Sequence, residues 1–316
     1  MTRRSLLIAV AVIVLLAGVP PGLEALGASQ YAMRLVLVAL LYAACAVAWD
    51  LVGGLTGQVS FGHATFFGVG AYVAAILVRA GLPLAATLPL AAAAAAAYAV
   101  VWGWPCLRLR GPFFAIATIG VGEATRLFAL SLESITGGAT GLTLPVVGGG
   151  PMSYYLALGL AVTSLAVSWQ LRRSKLGLGL SCIREDIDAA ESIGIRSGWL
   201  QLQVLMISAA LVGMAGAVYA GYLFYVEPGD VFAFNRSIGF ILMSIIGGVN
   251  TLLGPAVGAA IFLWLEQYLA ASFPSLHLGI YGALLVGVML FEPKGLVAVL
   301  RRVGRAGRAA AGSAAP

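Results

Sequence analysis

The side chains of this sequence that could do chemistry are gathered into a few short stretches, and the most charged one spans residues 172–199. It contains five of the 18 basic residues and four of the 12 acidic residues. Inside it, Asp188, Ala189 and Ala190 are followed after a short gap by Gly194. Acidic side chains can pair with basic groups of a partner, small alanines permit close packing, and a glycine can end a helix. The stretch therefore indicates a docking helix rather than a catalytic site.

Motifs for catalysis or nucleotide binding are absent from the sequence. Lys175 and Lys294 are the only lysines, and neither belongs to a G-x-x-x-x-G-K-[ST] motif, so the chain has no Walker-type lysine for ATP. His63 and His277 lie far apart, and no HExxH, GxSxG or CxxC pattern occurs. These absences disfavour an enzyme and predict neither a metal site nor a cofactor. The three cysteines are scattered and are interpreted as small buried residues: Cys45, Cys106 and Cys182.

Two glycine-rich polar stretches interrupt the apolar pattern of the chain, at Gly53–His63 and at Gly247–Pro255. The second divides a long apolar stretch into two shorter pieces. Broken helices at membrane depth are tolerated where the freed backbone lines a cavity, and corresponding breaks in two halves of a transporter indicate a permeation path. Ordinary tight turns between spans are the alternative interpretation, and the sequence leaves both open.

A third polar cluster lies on an apolar segment and contains an acid and a base, Glu123 and Arg126. Because the two residues are three apart, they share a helix face and can neutralise one another. Ionisable groups inside a membrane are unfavourable in lipid and generally face the interior of the bundle. The sequence is compatible with a structural ion pair and equally with a pair that lines a path.

The composition shows that these stretches must be held by membrane helices. Hydrophobic residues make up 61% of the 316 residues and charged residues 9%, and the mean hydropathy is +1.01, outside the range of soluble domains. Backbone groups in lipid must be satisfied internally, so each long apolar run is interpreted as a helix. We therefore predict an all-α integral membrane protein, a bundle of about ten transmembrane helices with broken or re-entrant segments. The predicted spans lie near residues 5–20, 33–52, 62–80, 84–104, 113–132, 152–170, 201–226, 237–250, 254–271 and 277–292.

The basic residues predict how the chain is oriented. The net charge of +6 comes from groups in loops and tails beside apolar spans, which argues against a nucleic-acid partner. If the N-terminus is cytoplasmic, 14 of the 18 basic residues lie on the cytoplasmic side, as the positive-inside rule requires. We expect a multi-pass protein of the bacterial inner membrane with both termini in the cytoplasm. One transmembrane domain is expected over residues 1–300, and residues 301–316 are expected to be a basic, disordered cytoplasmic tail attracted to anionic membrane lipid.

Six segments, in order along the chain, carry a resemblance to a known family. They are AWDLVGGLTGQVSFGHATFFGVGAYVAAIL (48–77), LRLRGPFFAIATIGVGEATRLF (107–128), SITGGATGL (134–142), SKLGLGLSCIREDIDAAESIGI (174–195), LMSIIGGVNTLLGPAVGAAI (242–261) and LFEPKGL (290–296). Together they resemble the permease family of branched-chain amino acid importers, in particular its LivM-type members. The resemblance implies a helical bundle similar to the vitamin B12 and ribose importer permeases.

The family also implies a function and partners. It implies a transmembrane subunit of an ABC importer without ATPase activity of its own, which moves branched-chain or related neutral amino acids into the cytoplasm. The implied partners are two cytoplasmic ABC ATPase subunits, a second related permease that completes a heterodimer, and a periplasmic or lipid-anchored substrate-binding protein. A permeation path with few charges suits a small neutral or zwitterionic solute.

The resemblance assigns roles to particular residues. The coupling loop 172–199 would carry an EAA motif, in which a short helix and a turn dock on the ATPase subunit, and its ATPase-coupling residues would be Arg184, Glu185, Asp186, Asp188, Ala189, Ala190, Glu191 and Gly194. Asp188 replaces the glutamate of that motif, which keeps the charge and shortens its reach. Candidates for the translocation path are Gln58, Ser60, His63, Thr118, Glu123 and Asn250. Bulky residues at Ala190 and Gly194 are expected to uncouple uptake without blocking membrane insertion.

Two alternatives to a branched-chain amino acid importer remain at this point. One is a urea or short-amide permease of the same family and architecture. The other, from a different class, is a secondary transporter driven by an ion gradient, which would need no ATPase partner. Neighbouring genes for an ATPase and a binding protein would favour an ABC importer over a secondary transporter.

Overall fold

The computed structural model describes residues 30–145 and 150–272, together with Gly18 and Pro20, and this part of the chain is almost entirely helical. The long helices are α1 (Gln30–Thr56), α2 (His63–Arg79), α3 (Leu84–Cys106), α4 (Pro112–Ser131), α6 (Gly150–Arg173), α9 (Ser197–Leu223), α11 (Phe234–Gly247) and α12 (Gly254–Ser272). The short helices are α5 (Glu133–Thr136), α7 (Lys175–Glu185), α8 (Ile187–Ser192) and α10 (Pro228–Val231), with a 3-10 turn at Gly138–Thr140.

Eight of the predicted spans fall on long helices, and the predicted ends differ from the observed ends by a few residues. Six segments of the described chain are long and apolar enough to cross a membrane. They are α1, α3, α4, α6, α9 and residues 228–247, which contain α10 and α11. Helix α2 is apolar but shorter, with 17 residues. The predicted spans at 5–20 and 277–292, and the tail 301–316, lie outside the described residues.

Helices α1 and α9 form the centre of the bundle. Helix α9 packs against α3, α2 and α1, while α1 also contacts α6, α12 and α11. Both central helices are apolar around their whole circumference, as expected for helices surrounded by other helices. Helix α4 lies at the periphery, and only 22% of its apolar window is buried, against 72% for α9.

The alanine run of α3 forms a smooth face toward α9. Ala91, Ala95 and Ala99 are fully buried and follow one another at intervals of four, so they share one side of the helix. A Cβ atom added at Gly213 of α9 would lie 2.5 Å from the Cβ atom of Ala95. Small residues on both helices therefore allow the two backbones to approach closely, as is common between membrane helices.

An even closer contact joins α2 to α9. A Cβ atom at Gly70 would lie 1.9 Å from the backbone oxygen of Gly213, and one at Gly216 would lie 1.9 Å from the backbone oxygen of Phe67. Each helix thus contributes a glycine at the point where its partner's backbone passes. At these points the two helices are in direct backbone contact.

Opposite the charged loop, short elements connect the helices. The two-residue strands β1 (Leu142–Thr143) and β2 (Tyr225–Val226) pair antiparallel, with Leu142 facing Val226. The two strands are a small departure from the all-helical prediction. They lie in the connections that follow α4 and α9. The pairing ties these two connections together at one end of the bundle.

Near this end, a buried arginine ties four helices together. The guanidinium of Arg236 on α11 forms an ion pair with Asp230 on α10 and donates to the hydroxyl oxygens of Tyr42 on α1 and Tyr219 on α9. The ring of Phe67 lies 4.7 Å from the guanidinium carbon. The positive charge is therefore satisfied on all sides by protein groups.

The first glycine-rich stretch begins later than its sequence suggests. Gly53 and Gly54 were predicted to belong to the break, but both lie inside α1, which continues to Thr56. The physical reason is packing, since a Cβ atom at Gly53 would lie 2.3 Å from the ring of Trp49 and one at Gly54 would lie 2.3 Å from the Asp50 carboxylate. These glycines make room for the two side chains one turn earlier.

Candidate functional site: two broken segments beside a charged loop

The first broken segment, residues 57–62, turns back along the end of α1. Trp49 Nε1 donates to the backbone oxygen of Ser60 at 2.8 Å. Ser208 on α9 donates to the backbone oxygen of Ala48 at 2.6 Å and is 3.0 Å from Nε2 of His63, the first residue of α2. Ala48 precedes the end of α1 by eight residues, or about 12 Å of helix. Helix α2 therefore begins well inside the bundle rather than at its edge.

Side-chain hydroxyl groups satisfy the backbone of this segment. The N–H of Phe61 donates to Thr118 Oγ1 at 3.1 Å, and the N–H of Gly62 donates to Ser60 Oγ at 3.3 Å. The N–H of Ala64, in the first turn of α2, donates to Ser237 Oγ at 2.8 Å. Irregular backbone in a membrane protein needs such partners, because there is little water to replace them. Ser60 and Thr118 thus stabilise the break in the described chain.

Replacing Ser237 with alanine tests this role. The substitution leaves the buried N–H of Ala64 without its acceptor, and we expect a loss of about 1 to 3 kcal/mol in the free energy of unfolding. Thermal unfolding of the purified protein in detergent measures the effect. Ser131 is a control on the surface of α4, where its hydroxyl only donates to the backbone oxygen of Leu127, and Ser131→Ala is expected to change stability little. Equal melting temperatures for the two variants would contradict this role of Ser237.

His63 is fully buried, and both of its ring nitrogens have partners. Nδ1 lies 3.1 Å from Ser60 Oγ and Nε2 lies 3.0 Å from Ser208 Oγ. The ring also packs edge-on against Trp49 and Phe66. In the described chain its contacts are internal, and they join the broken segment to α9.

The second broken segment, residues 248–253, connects α11 to α12. A Cβ atom at Gly247 would lie 1.8 Å from the backbone oxygen of Gly254, so the two helices meet backbone to backbone. Asn250 has a φ of 60°, a left-handed conformation that asparagine adopts more readily than most residues. Thr251 Oγ1 accepts a hydrogen bond from the N–H of Gly254 at 3.0 Å and thereby caps the start of α12.

A buried ion pair holds this second segment. Asp50 of α1 is 1% exposed, and its Oδ2 accepts a hydrogen bond from Arg172 Nη2 at 2.7 Å. Its Oδ1 accepts from the N–H of Asn250 at 2.7 Å and from Ser244 Oγ at 3.3 Å. Arg172 Nη1 also donates to the side-chain oxygen of Asn250 at 2.7 Å. The ion pair therefore links α1, α6 and α11 to the break.

Sequence reasoning missed Asp50 as a candidate residue. The available signal was a single carboxylate within an apolar run, close to the end of a predicted span and next to the first break. An acid there is unfavourable in lipid unless it is paired. Its partner, Arg172, lies 122 positions away, and that separation hides the pairing from any local pattern.

Arg184 joins the charged loop to the end of α1. Its Nη1 donates to the backbone oxygen of Gly54 at 2.8 Å, and its side chain passes beside Gly57, which has a φ of 76°. Carbonyl groups in the last turn of a helix have no partner within the helix, so a cation there is favourable. Arg184, predicted as an ATPase-coupling residue, contacts the first broken segment of its own chain. The loop thus holds both breaks, through Arg172 and Arg184.

The rest of the loop forms two short helices separated by Asp186. The Oδ1 atom of Asp186 accepts hydrogen bonds from the N–H groups of Asp188 and Ala189, at 2.9 and 3.0 Å, and so caps the start of α8. Helix α8 ends at Ser192, and Gly194 follows with a φ of 87°. The N–H of Ile195 donates to the backbone oxygen of Ala190 at 3.1 Å, the hydrogen bond of a glycine-terminated helix end.

The two alanines of α8 differ in exposure. Ala190 is buried against its own chain, whereas Ala189 is exposed, as is Ile193 four residues later, which is 73% exposed. A partner that docks on this surface would therefore meet Ala189 rather than Ala190. The remaining predicted coupling residues, Glu185, Asp186, Asp188, Glu191 and Gly194, are exposed as well.

Two acids of α8 have an internal partner. Arg110, in the connection between α3 and α4, donates to Asp188 at 2.7 Å and lies 3.7 Å from Glu191. The hydrogen bond to Asp188 raises the pKa of Arg110 above its ordinary value. Because all three side chains are exposed, the ion pair orients α8 more than it stabilises the fold.

Gln58, Glu123 and Asn250 occupy three different places. Gln58 is half-buried in the first broken segment, and its Oε1 atom is buried without a hydrogen-bond partner. Asn250 lies in the second broken segment. Glu123 lies on the outward side of α4, in an ion pair with Arg126. The structure thus brings Ser60, His63 and Thr118 together at the first break and places Glu123 apart from them.

Within residues 30–145 and 150–272, no group of three or more His, Cys, Asp or Glu side chains could hold a metal ion. Cys45 and Cys106 are buried, and Cys182 is partly buried. The site consists of broken backbone, hydroxyl groups and ion pairs. Such an arrangement can position and move helices.

A multi-pass helical membrane protein with broken segments held by a charged loop has the architecture of a transport permease, and comparisons with known proteins agree. The family model described as branched-chain amino acid transport system / permease component matches residues 31–289. The chain belongs to this family, and it is therefore a permease subunit of an ABC importer rather than an enzyme.

Individual relatives carry the same description. The high-affinity branched-chain amino acid transport system permease protein LivM of Escherichia coli K12 is 30% identical, with 86% of this chain and 71% of that protein covered. LivH of the same strain is 22% identical, and BraD of Pseudomonas aeruginosa is 25% identical, each with 81% of this chain and 91% of the relative covered. No solved structure matches the chain.

Proposed function

We propose that the charged loop, residues 172–199, is the element through which partner ATPases drive this permease. The observation that carries the proposal is that the loop's own arginines hold both broken segments: Arg172 bonds to Asn250 and Asp50, and Arg184 bonds to the end of α1. A displacement of the loop would shift both breaks together. Alternating access would then follow from movement of the helices on either side of the breaks.

The surface of α8 supports this role. Asp188, Glu191 and Ala189 are exposed, and Ile193 is an exposed apolar side chain at the end of the helix. A surface that combines acidic, small and apolar side chains fits a groove with basic residues at its rim. Arg110 pairs with Asp188 and Glu191 and so holds α8 in place, while Ala189 and Ile193 stay exposed.

The proposal places the loop and both termini in the cytoplasm, with ten spans in a single domain of residues 1–300. The partners are two ABC ATPase subunits, a second related permease and a substrate-binding protein on the opposite side of a bacterial inner membrane. The basic tail 301–316 lies on anionic lipid. Gln58, Ser60, His63, Thr118 and Asn250 lie along the breaks that open and close the path, and Glu123 belongs to its wall.

Replacing Ala189 with tryptophan tests the docking surface. The bulky side chain projects from α8 into space that a partner would occupy, so we expect leucine uptake to fall about tenfold or more, together with ATPase association. Ala189→Ser keeps the small volume and is the matched control, for which normal uptake is expected. The measurement is ATP-driven uptake in vesicles that contain all subunits, with membrane insertion checked by fractionation.

Three outcomes would contradict parts of this proposal. Normal uptake by Ala189→Trp would exclude α8 as the docking surface. Uptake of urea in place of leucine by the unaltered assembly would change the substrate and retain the architecture. Uptake by this chain alone under an ion gradient would overturn the coupling to ATPases altogether.

A further inference from the structure

Helix α4 carries an ion pair between two of its own residues, Glu123 and Arg126. Arg126 Nε donates to Glu123 Oε2 at 3.0 Å, and Arg126 Nη2 donates to Glu123 Oε1. The Glu123 side chain is 52% exposed and that of Arg126 is 30% exposed. Glu123 is the twelfth of the 20 residues of α4, so the pair lies near the middle of a helix long enough to cross the membrane.

Contact with lipid is an unfavourable environment for this pair. Charged groups in the hydrocarbon region generally face protein or a water-filled space. The described part of the chain leaves the pair open, since α4 packs loosely on its inward face through Phe114, Thr118 and Ala129. The exposed side of α4 can border an aqueous path, another subunit or a span outside the described residues, and its two charged groups favour the aqueous path.

The surroundings of the ion pair are chemically complementary to a zwitterionic amino acid with an apolar side chain. Glu123 and Arg126 use only part of their hydrogen-bonding capacity on each other, because the guanidinium has five N–H donors and the carboxylate about four acceptor positions. Ile119 and Ile116 precede Glu123 by four and seven residues, so they lie on the same side of the helix, and both are exposed. Gly120 lies beside them, and a Cβ atom there would meet nothing within 4 Å.

We propose that this face of α4, formed by Ile116, Ile119, Gly120, Glu123 and Arg126, is a subsite that contacts the zwitterionic amino acid during translocation. The α-ammonium group binds to Glu123 and the α-carboxylate to Arg126. The branched side chain lies over Ile116 and Ile119, in the space left by Gly120. The proposal rests on the proposed function, since it takes the transported solute to be an amino acid with an apolar side chain.

Neutralising the charges singly and together separates this role from a structural one. In vesicles containing the complete importer with its binding protein, Glu123→Gln and Arg126→Gln are each expected to reduce ATP-driven leucine uptake about tenfold or more, because a charge-assisted hydrogen bond is lost. The double variant Glu123→Gln/Arg126→Gln is expected to be equally impaired. Assembly and the stimulation of ATP hydrolysis by loaded binding protein are expected to persist in all three.

Recovery of normal uptake in the double variant would overturn the proposal, because a pair that only neutralises itself tolerates the removal of both charges. Failure of all three variants to assemble would overturn it as well, since a solute-binding face is not needed for assembly. The unaltered importer in the same vesicles tests the proposed function separately. If it takes up no leucine, the proposed function fails before the variants are considered.

A steric variant gives an independent measurement. A Cβ atom at Gly120 meets nothing within 4 Å, so the fold should tolerate Gly120→Leu, yet the leucine side chain would fill the proposed subsite and reduce leucine uptake about tenfold or more. Gly159 on α6 is the matched control, because a Cβ atom there also meets nothing within 4 Å. Normal uptake by Gly120→Leu would exclude the subsite, and impaired uptake by that variant alone would support it.

Discussion

Replacing Arg172 with methionine is expected to destabilise the protein strongly and to abolish uptake. The change leaves Asp50 as a carboxylate with 1% exposure and no cation, and breaking a buried ion pair from one side generally costs about 3 to 5 kcal/mol. It also removes the two hydrogen bonds from Arg172 to Asn250, so the second break loses its attachment to α6. Tryptophan fluorescence during thermal unfolding in detergent measures stability, and vesicle uptake measures function.

The neighbouring residue provides a matched control. Arg173 stacks its guanidinium 4.5 Å from the ring centre of Trp169 and makes no ion pair among the described residues. Arg173→Met is expected to cost less than about 1 kcal/mol. The double variant Asp50→Asn/Arg172→Met, which removes both charges, is expected to regain much of the lost stability. If Arg172→Met and Arg173→Met melt at the same temperature, the buried ion pair is not important for stability.

Replacing Gly70 with alanine is expected to separate the two helices that meet there. The new methyl group would lie 1.9 Å from the backbone oxygen of Gly213 and 2.5 Å from its Cα atom. Backbone atoms cannot rotate away as a flexible side chain can, so α2 must move off α9. Overpacking typically costs 1 to 3 kcal/mol, and we expect about 3 kcal/mol or more here because backbone is the obstacle.

The same substitution at an open site isolates the steric effect. Gly159→Ala on α6 meets nothing within 4 Å, so it changes helix propensity without a clash, and its effect is expected to be neutral or slightly stabilising. Thermal unfolding and the yield of monodisperse protein in detergent compare the two variants. A yield and melting temperature of Gly70→Ala equal to those of Gly159→Ala would show that the close contact is not required.

The spans were predictable because backbone hydrogen bonds in lipid must be satisfied within the protein. An apolar run of sufficient length must form a helix, so eight predicted spans coincide with helices to within a few residues. The alanine face of α3 was predictable for a related reason, since small residues at intervals of four allow close approach. Both inferences depend on local pattern alone.

The arrangement of the site was less predictable, because it depends on how the helices are rotated and paired. Nothing local distinguishes buried Ala190 from exposed Ala189, since their difference is set by how α8 lies on the bundle. The pairing of Asp50 with Arg172 joins residues far apart in sequence. For His63, the sequence revealed a polar residue near a break, but its partner Ser208 lies on α9, so its internal hydrogen bonds could not be predicted.

The positions of Arg172 and Arg184 have a mechanical consequence. They flank most of α7, a rigid helix of 11 residues, or about 16 Å. A tilt of about 10° displaces one end of such a rod by about 3 Å relative to the other, which is as long as the hydrogen bonds that the arginines make. These contacts would break rather than stretch. The hydrogen bond at the displaced end would therefore be either made or broken, and the loop would release the broken segment at that end in one discrete step.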